Sequence, residues 1–113
     1  MARPHKQTTD SGDIFQAIAD PNRRRLLAYL AAGERGVQDV AGDFPISIAA
    51  VSQHLQILHN AGLVRRREAG RQRLYSVDPA GLDAVRTWVD GLARLWEAAV
   101  DRLEAHLDDD AGP

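Results

Sequence analysis

The chain contains no cysteine. That excludes disulfides, thiolate nucleophiles and thiolate metal sites in one step. No apolar run approaches the roughly 20 residues that a membrane-spanning helix needs. The opening stretch MARPHKQTTDSGD lacks the apolar segment of a secretory signal, so a cytoplasmic location is expected. There is no nucleotide-binding glycine loop, and no His–acid–nucleophile grouping that spacing would bring together, so the chain does not read as an enzyme and no cofactor is expected. No internal repeat is evident.

What is present fits one soluble domain. The 113 residues are too few for two independent cores, and 44% apolar with 27% charged residues is ordinary for a globular protein. The formal net charge of -2 argues at first against nucleic acid, but its distribution argues for it. Residues 21–77 hold nine arginines against four acids, an excess of +5, and the two ends hold five basic residues against twelve acids. A basic middle between acidic ends is an electrostatic footprint that the whole-chain balance conceals.

The pattern predicts a flexible arm over residues 1–12, a folded region over 13–107 and an acidic, disordered tail over 108–113. A first helix starts at Ser11 or Gly12 and puts Ile14, Phe15 and Ile18 on one face. Asp20-Pro21 is a cap-and-proline start for a second helix, which runs to about Ala32 with Leu26, Leu27 and Leu30 inward. A short third helix spans about Val37 to Phe44, and Pro45 ends it. Ser47 caps a fourth, from Ile48 to Ala61, with Ile48, Val51, Leu55 and Leu58 at helical spacing and Gly62 as a left-handed stop. RRREAGRQRLYSV reads as a two-stranded ribbon turning at Ala69-Gly70. Asp78-Pro79 opens a long last helix to about Leu107, with Gly91 as a candidate kink. The fold is mainly α with a small β-hairpin, in the order α-α-α-α-β-β-α.

Two helices joined by a short turn and followed at once by a basic hairpin make a winged helix-turn-helix. The B-DNA major groove admits one α-helix, whose N-terminal part reaches base edges. On the fourth helix Ser47, Ala49, Ala50, Ser52 and Gln53 lie opposite the core-facing positions. They are small or polar and allow close approach, and Gln53 can pair bidentately with adenine. The hairpin carries five arginines within residues 65–73, and strand alternation prevents all five from touching DNA together. Arg71, beside the turn, is the best wing-tip candidate, followed by Arg66 and Arg73. Arg23 or Arg24 can contact phosphate or simply be solvated. His54 packs beside the core or touches a phosphate. His54 and His59, five residues apart, share a helix face poorly and do not make a metal site.

The last helix adds a seam. Leu82, Val85, Val89, Leu92, Trp96, Ala99 and Leu103 alternate by three and four, and Trp88, Leu95 and Val100 widen the stripe. That is more apolar surface than a small winged domain covers alone, so a homodimer is expected.

The stretches IFQAIADPNRRRLLAYLAAGERGVQDVA and ISIAAVSQHLQILHNAGLVRRREAGRQRLYSVDP resemble the ArsR family of bacterial winged-helix repressors over about residues 13–107. The specific signal is the combination of the ADP start, SQHLxxLxxAGLV and GRxxxYxxDP. The resemblance implies a cytoplasmic homodimer built from the first and last helices, which represses by binding an inverted-repeat operator in double-stranded DNA. It carries base or phosphate contacts onto Ser47, Ala49, Ala50, Ser52, Gln53 and His54, and wing contacts to near Arg71. The family's metal sensors carry a cysteine pair in the third helix, where this chain has VQDVAGDF, and the resemblance looks closest to the metal-independent, autorepressor-like branch. A small-molecule effector is not legible. The alternative is a winged-helix protein-interaction module without DNA binding, against which the arginine distribution argues.

Overall fold

The computed structural model describes residues 11–111. The elements run α1 (Ser11–Ala17), α2 (Pro21–Leu30), β1 (Arg35–Gly36), α3 (Val37–Asp43), α4 (Ile48–Asn60), β2 (Val64–Ala69), β3 (Gln72–Val77) and α5 (Pro79–Ala111). The arm read over residues 1–12 lies outside the described residues, apart from Ser11 and Gly12, which open α1.

Local chemistry sets most of the boundaries. Asp20 accepts hydrogen bonds from the N–H groups of Asn22, at 2.7 Å, and Arg23, at 3.3 Å. These are two of the four donors that a helix start leaves unpaired. At the far end of α4, Leu63 N–H reaches the Leu58 carbonyl and Gly62 N–H reaches that of His59, both at 3.0 Å, with Gly62 at φ +81°. This is a Schellman stop, and the apolar contact that accompanies it comes from Leu58 and Leu63, both fully buried. Asp78 accepts from Ala80 N–H at 3.0 Å and opens α5.

The core gathers Leu26 and Leu30 of α2, Val40 of α3, Val51, Leu55 and Leu58 of α4, and Tyr75 of β3. The sheet is three-stranded and antiparallel, in the order β1-β3-β2. The sequence reading had two strands. The third is only two residues long and exists by pairing Arg35 with Tyr75 and Gly36 with Leu74, a long-range contact with no local periodicity. The hairpin turn also sits one residue later than read. Ala69 pairs with Gln72, so Gly70 and Arg71 form the turn. Only Gly70 has positive φ, at +64°, which fits a II′ hairpin turn with glycine at its first central position.

The last helix passes unbroken through Gly91 and continues beyond Leu107 through Asp108, Asp109 and Asp110 to Ala111. Three acids oppose the helix dipole there, but no glycine or proline occurs between Ala93 and Ala111 to stop the helix. At 33 residues it is about 50 Å long. The radius of gyration, 19.9 Å, exceeds the roughly 13 Å of a compact domain of this size, because α5 projects beyond the core. Its main contact is with α1, where the Phe15 and Trp88 rings lie 5.0 Å apart.

The start of α5 is wedged against the end of α4. A Cβ added at Gly81 would lie 2.2 Å from the Gly62 carbonyl oxygen, whereas one added at Gly42 on α3 would meet nothing within 4 Å. Gly81→Ala is therefore expected to destabilise the fold by about 1–3 kcal/mol through forced backbone movement. Gly42→Ala should stabilise it by up to about 1 kcal/mol through helix propensity. Urea unfolding of the two variants checks this, and equal shifts of the two would contradict the packing described.

Candidate nucleic-acid interface

The fourth helix presents two faces. Val51, Leu55 and Leu58 are fully buried, while Ser47, Ala49, Ser52 and Gln53 are exposed and Ala50 is half-buried. The Ser47 hydroxyl oxygen accepts from Ala50 N–H at 3.1 Å and fixes the helix start. Its own O–H remains free to donate outward. Ile48, read from its spacing as a core position, is instead 55% exposed. It occupies the first helical position, which no neighbouring element covers.

His54 is half-buried, and its Nδ1 lies 3.3 Å from an Arg23 terminal nitrogen. A guanidinium only donates, so Nδ1 accepts and the ring hydrogen sits on Nε2. Arg23 also donates to the carbonyls of Gln16 and Ala17, and Arg24 to those of Ile18 and Ala19. These two arginines satisfy the open carbonyls at the end of α1. The sequence offered solvation or phosphate for them; the structure gives them a capping duty. Asp20, beside them, is pushed up by burial but more strongly held down by its two backbone hydrogen bonds and the Arg23 charge, and ends below the usual carboxylate value.

The five hairpin arginines divide by partner. Arg67 grips Glu34 with two hydrogen bonds, at 2.8 and 2.9 Å, across the central strand. Arg66 donates to the Gln56 side chain of α4 at 3.2 Å, and Arg73 pairs with Glu68, directly opposite on β2, at 3.2 Å. Arg65 lies 3.7 Å from Asp78. Arg71, at the turn, is exposed and has no partner among the described residues. An open cleft separates the wing tip from the start of α3 and α4. Gln38 and Ile48 line one wall, and Arg71, Gln72 and Arg73 line the other.

The seam of α5 is largely bare. Leu82, Val89, Leu92, Trp96 and Leu103 are 41 to 69% exposed, and Trp88 and Leu95 lie out beside them. Val85 is half-buried against its own core, and Phe15 and Ile18 are likewise partly covered. Ile14, expected at the dimer interface with Phe15 and Ile18 on the first helix, does not lie with the seam. At 4% exposure it is a core residue of its own protomer, because α1 turns that side toward the domain.

The sequence model described as "Bacterial regulatory protein, arsR family" matches residues 20–66. The HTH-type transcriptional regulator Rv2034 of Mycobacterium tuberculosis is 44% identical over 94 residues, covering 83% of this chain and 85% of that protein. The chain belongs to the ArsR family of bacterial transcriptional regulators. The transcriptional repressor SdpR of Bacillus subtilis is 34% identical over 77 residues, 68% of this chain and 86% of the relative. Among solved structures, the homodimeric winged helix-turn-helix DNA-binding domain Mb0332 of Mycobacterium bovis superimposes with a TM-score of 0.63 at 26% identity. It covers 83% of this chain and 91% of that one. The fold is thus the winged helix-turn-helix of ArsR regulators.

The residues present do not fit the cysteine-pair metal centre of the family's sensors. The chain has no thiol, and among the described residues no three His, Asp or Glu side chains are grouped to hold an ion. No helix among them is long and apolar enough to cross a membrane.

One histidine in this ArsR-family chain carries a pH consequence. His59 Nδ1 is buried without a hydrogen-bond partner. Burial first, and the Arg66 charge second, lower its pKa from the ordinary 6.5. The unfolded chain therefore takes up this proton before the folded one does. The stabilising contribution is present above the ordinary value and is lost as pH falls from there through the lower folded value. Stability measured by denaturant between pH 7 and 5 should fall more steeply for the parent than for His59→Gln. Parallel profiles would remove His59 from this account.

Proposed function

We propose that this chain is a homodimeric repressor that binds an inverted-repeat operator in double-stranded DNA. The observation that carries the reading is the juxtaposition of the exposed first turns of α4 with the wing tip across one cleft. A helix that enters the major groove there leaves the wing beside the neighbouring backbone and minor groove. Reading of bases falls to Ser52 and Gln53, with Ala49 and Ala50 allowing close approach and Ser47 donating to phosphate. His54 has its Nδ1 committed to Arg23 and offers Nε2–H to a phosphate. Arg71 is the wing cation that needs no bond broken before it grips DNA. Arg73 and Arg66 reach DNA only by leaving Glu68 and Gln56, which places them behind Arg71.

The second copy covers α5. Burying one large apolar side chain is worth about 1.5–3 kcal/mol, and the seam exposes several. A two-fold pair then sets two α4 helices about one DNA turn, about 34 Å, apart. The dimeric Mb0332 domain and the repressor SdpR support this arrangement and the direction of regulation. A DNA target supports a cytoplasmic location, and the lack of any thiol supports metal-independent regulation.

Titration of the DNA upstream of its own gene across a salt series tests the reading. Affinity should fall steeply with salt through counterion release. Gln53→Ala should relax sequence preference. Arg71→Ala should weaken all sequences alike and lower the log–log salt slope by about 1. Absent or salt-insensitive binding would favour a protein-interaction module.

A further inference from the structure

We infer that Ile48 reads a thymine methyl group in the operator's major groove. The inference rests on the reading of α4 as the groove helix and extends it to a residue whose spacing hides it. Among the described residues, every other large apolar side chain recorded as exposed lies on α5, where a second copy covers the seam. Ile48 is the exception. It stands 55% exposed at the first position of α4, between exposed Ser47 and Ala49, on the rim of the cleft that faces Arg71. Val37 lines the same cleft but is half-buried and packs on the core, and Ile48 stays exposed beside it.

Major-groove edges are hydrogen-bond donors and acceptors except at one place, the thymine C5-methyl. An exposed isoleucine has nothing to offer the polar edges, and an apolar methyl at that place is its chemical complement. Branching at Cβ restricts χ1, so ordering the side chain against a base loses little freedom. The contact also distinguishes T·A from A·T, because the methyl projects from one strand only. Gln53 and Ser52, one turn on, are left to read the polar edges.

The test removes only the methyl. The full chain selects its operator from random duplexes, and each thymine of that operator is then replaced singly by deoxyuridine, which keeps every hydrogen-bonding edge. One replacement per half-site should weaken binding about four-fold, the value of one buried methyl-sized group. In Ile48→Ala that replacement should have no effect, while binding to the thymine operator weakens about sixteen-fold, because the substitution removes the four-fold contact from both half-sites of the pair. Because Ile48 is exposed, the variant keeps its fold, which circular dichroism verifies. Two results would overturn the inference: no methyl-sensitive thymine with the parent, or sensitivity retained in Ile48→Ala, which would assign the methyl to Ala49 or Ala50. If the parent selects no sequence at all, the reading of α4 as a groove helix fails, and this inference fails with it.

Discussion

The bare apolar seam of α5 is the constraint on which the rest of the molecule depends. The winged core is complete without it, since Leu26, Leu55, Leu58 and Tyr75 are buried inside one chain. The helix that follows is not complete. It leans on α1 through Phe15 and Trp88 and otherwise holds Leu92, Leu95, Trp96 and Leu103 out to water. Association costs roughly 4–15 kcal/mol in lost freedom, so a pairing surface needs several large side chains, and this helix has them. A single α4 presents only a few small and polar readers. Choosing one site in a genome takes two such helices on one rigid frame, which the proposed pair provides.

The arginines show how little of a basic surface needs to act on DNA. Arg23 and Arg24 close the end of α1, Arg67 ties β2 to Glu34 across the sheet, and Arg66 braces α4 through Gln56. Of these, the Arg66–Gln56 bond is the one that joins wing to α4. Such pairs add little free energy where exposed, but they decide which cations are already engaged when DNA arrives. The Glu34 carboxyl, held below its ordinary value chiefly by the Arg67 hydrogen bonds, stays ionised and keeps that brace in place.

Much of this fold was legible in the sequence, because its punctuation is local. Asp20-Pro21, Ser47, Gly62 and Asp78-Pro79 each act on their own few residues, and each marks a boundary where the structure has one. Elements that exist by long-range pairing were not legible. β1 has two residues and no pattern of its own. The end of α5 was placed too early, because three aspartates looked like a tail although nothing there breaks a helix. For the candidate site, helical spacing separated the exposed face of α4 from Val51, Leu55 and Leu58. It erred at Ile48, because spacing says nothing about whether a neighbour covers the first turn. The pairings of Arg67 with Glu34 and of Arg23 with His54 span more than thirty residues and left no local signal.

The most direct test of the central claim is the mass of the full chain in solution by sedimentation equilibrium, for the parent and for a variant carrying Leu92→Glu and Trp96→Glu. Both positions are exposed in the single chain, so the substitutions leave its core untouched. The parent should sediment at twice the chain mass at micromolar concentration, and the variant as a folded chain of single mass. A parent that sediments as a single chain, with α5 intact by circular dichroism, would contradict the proposed pairing.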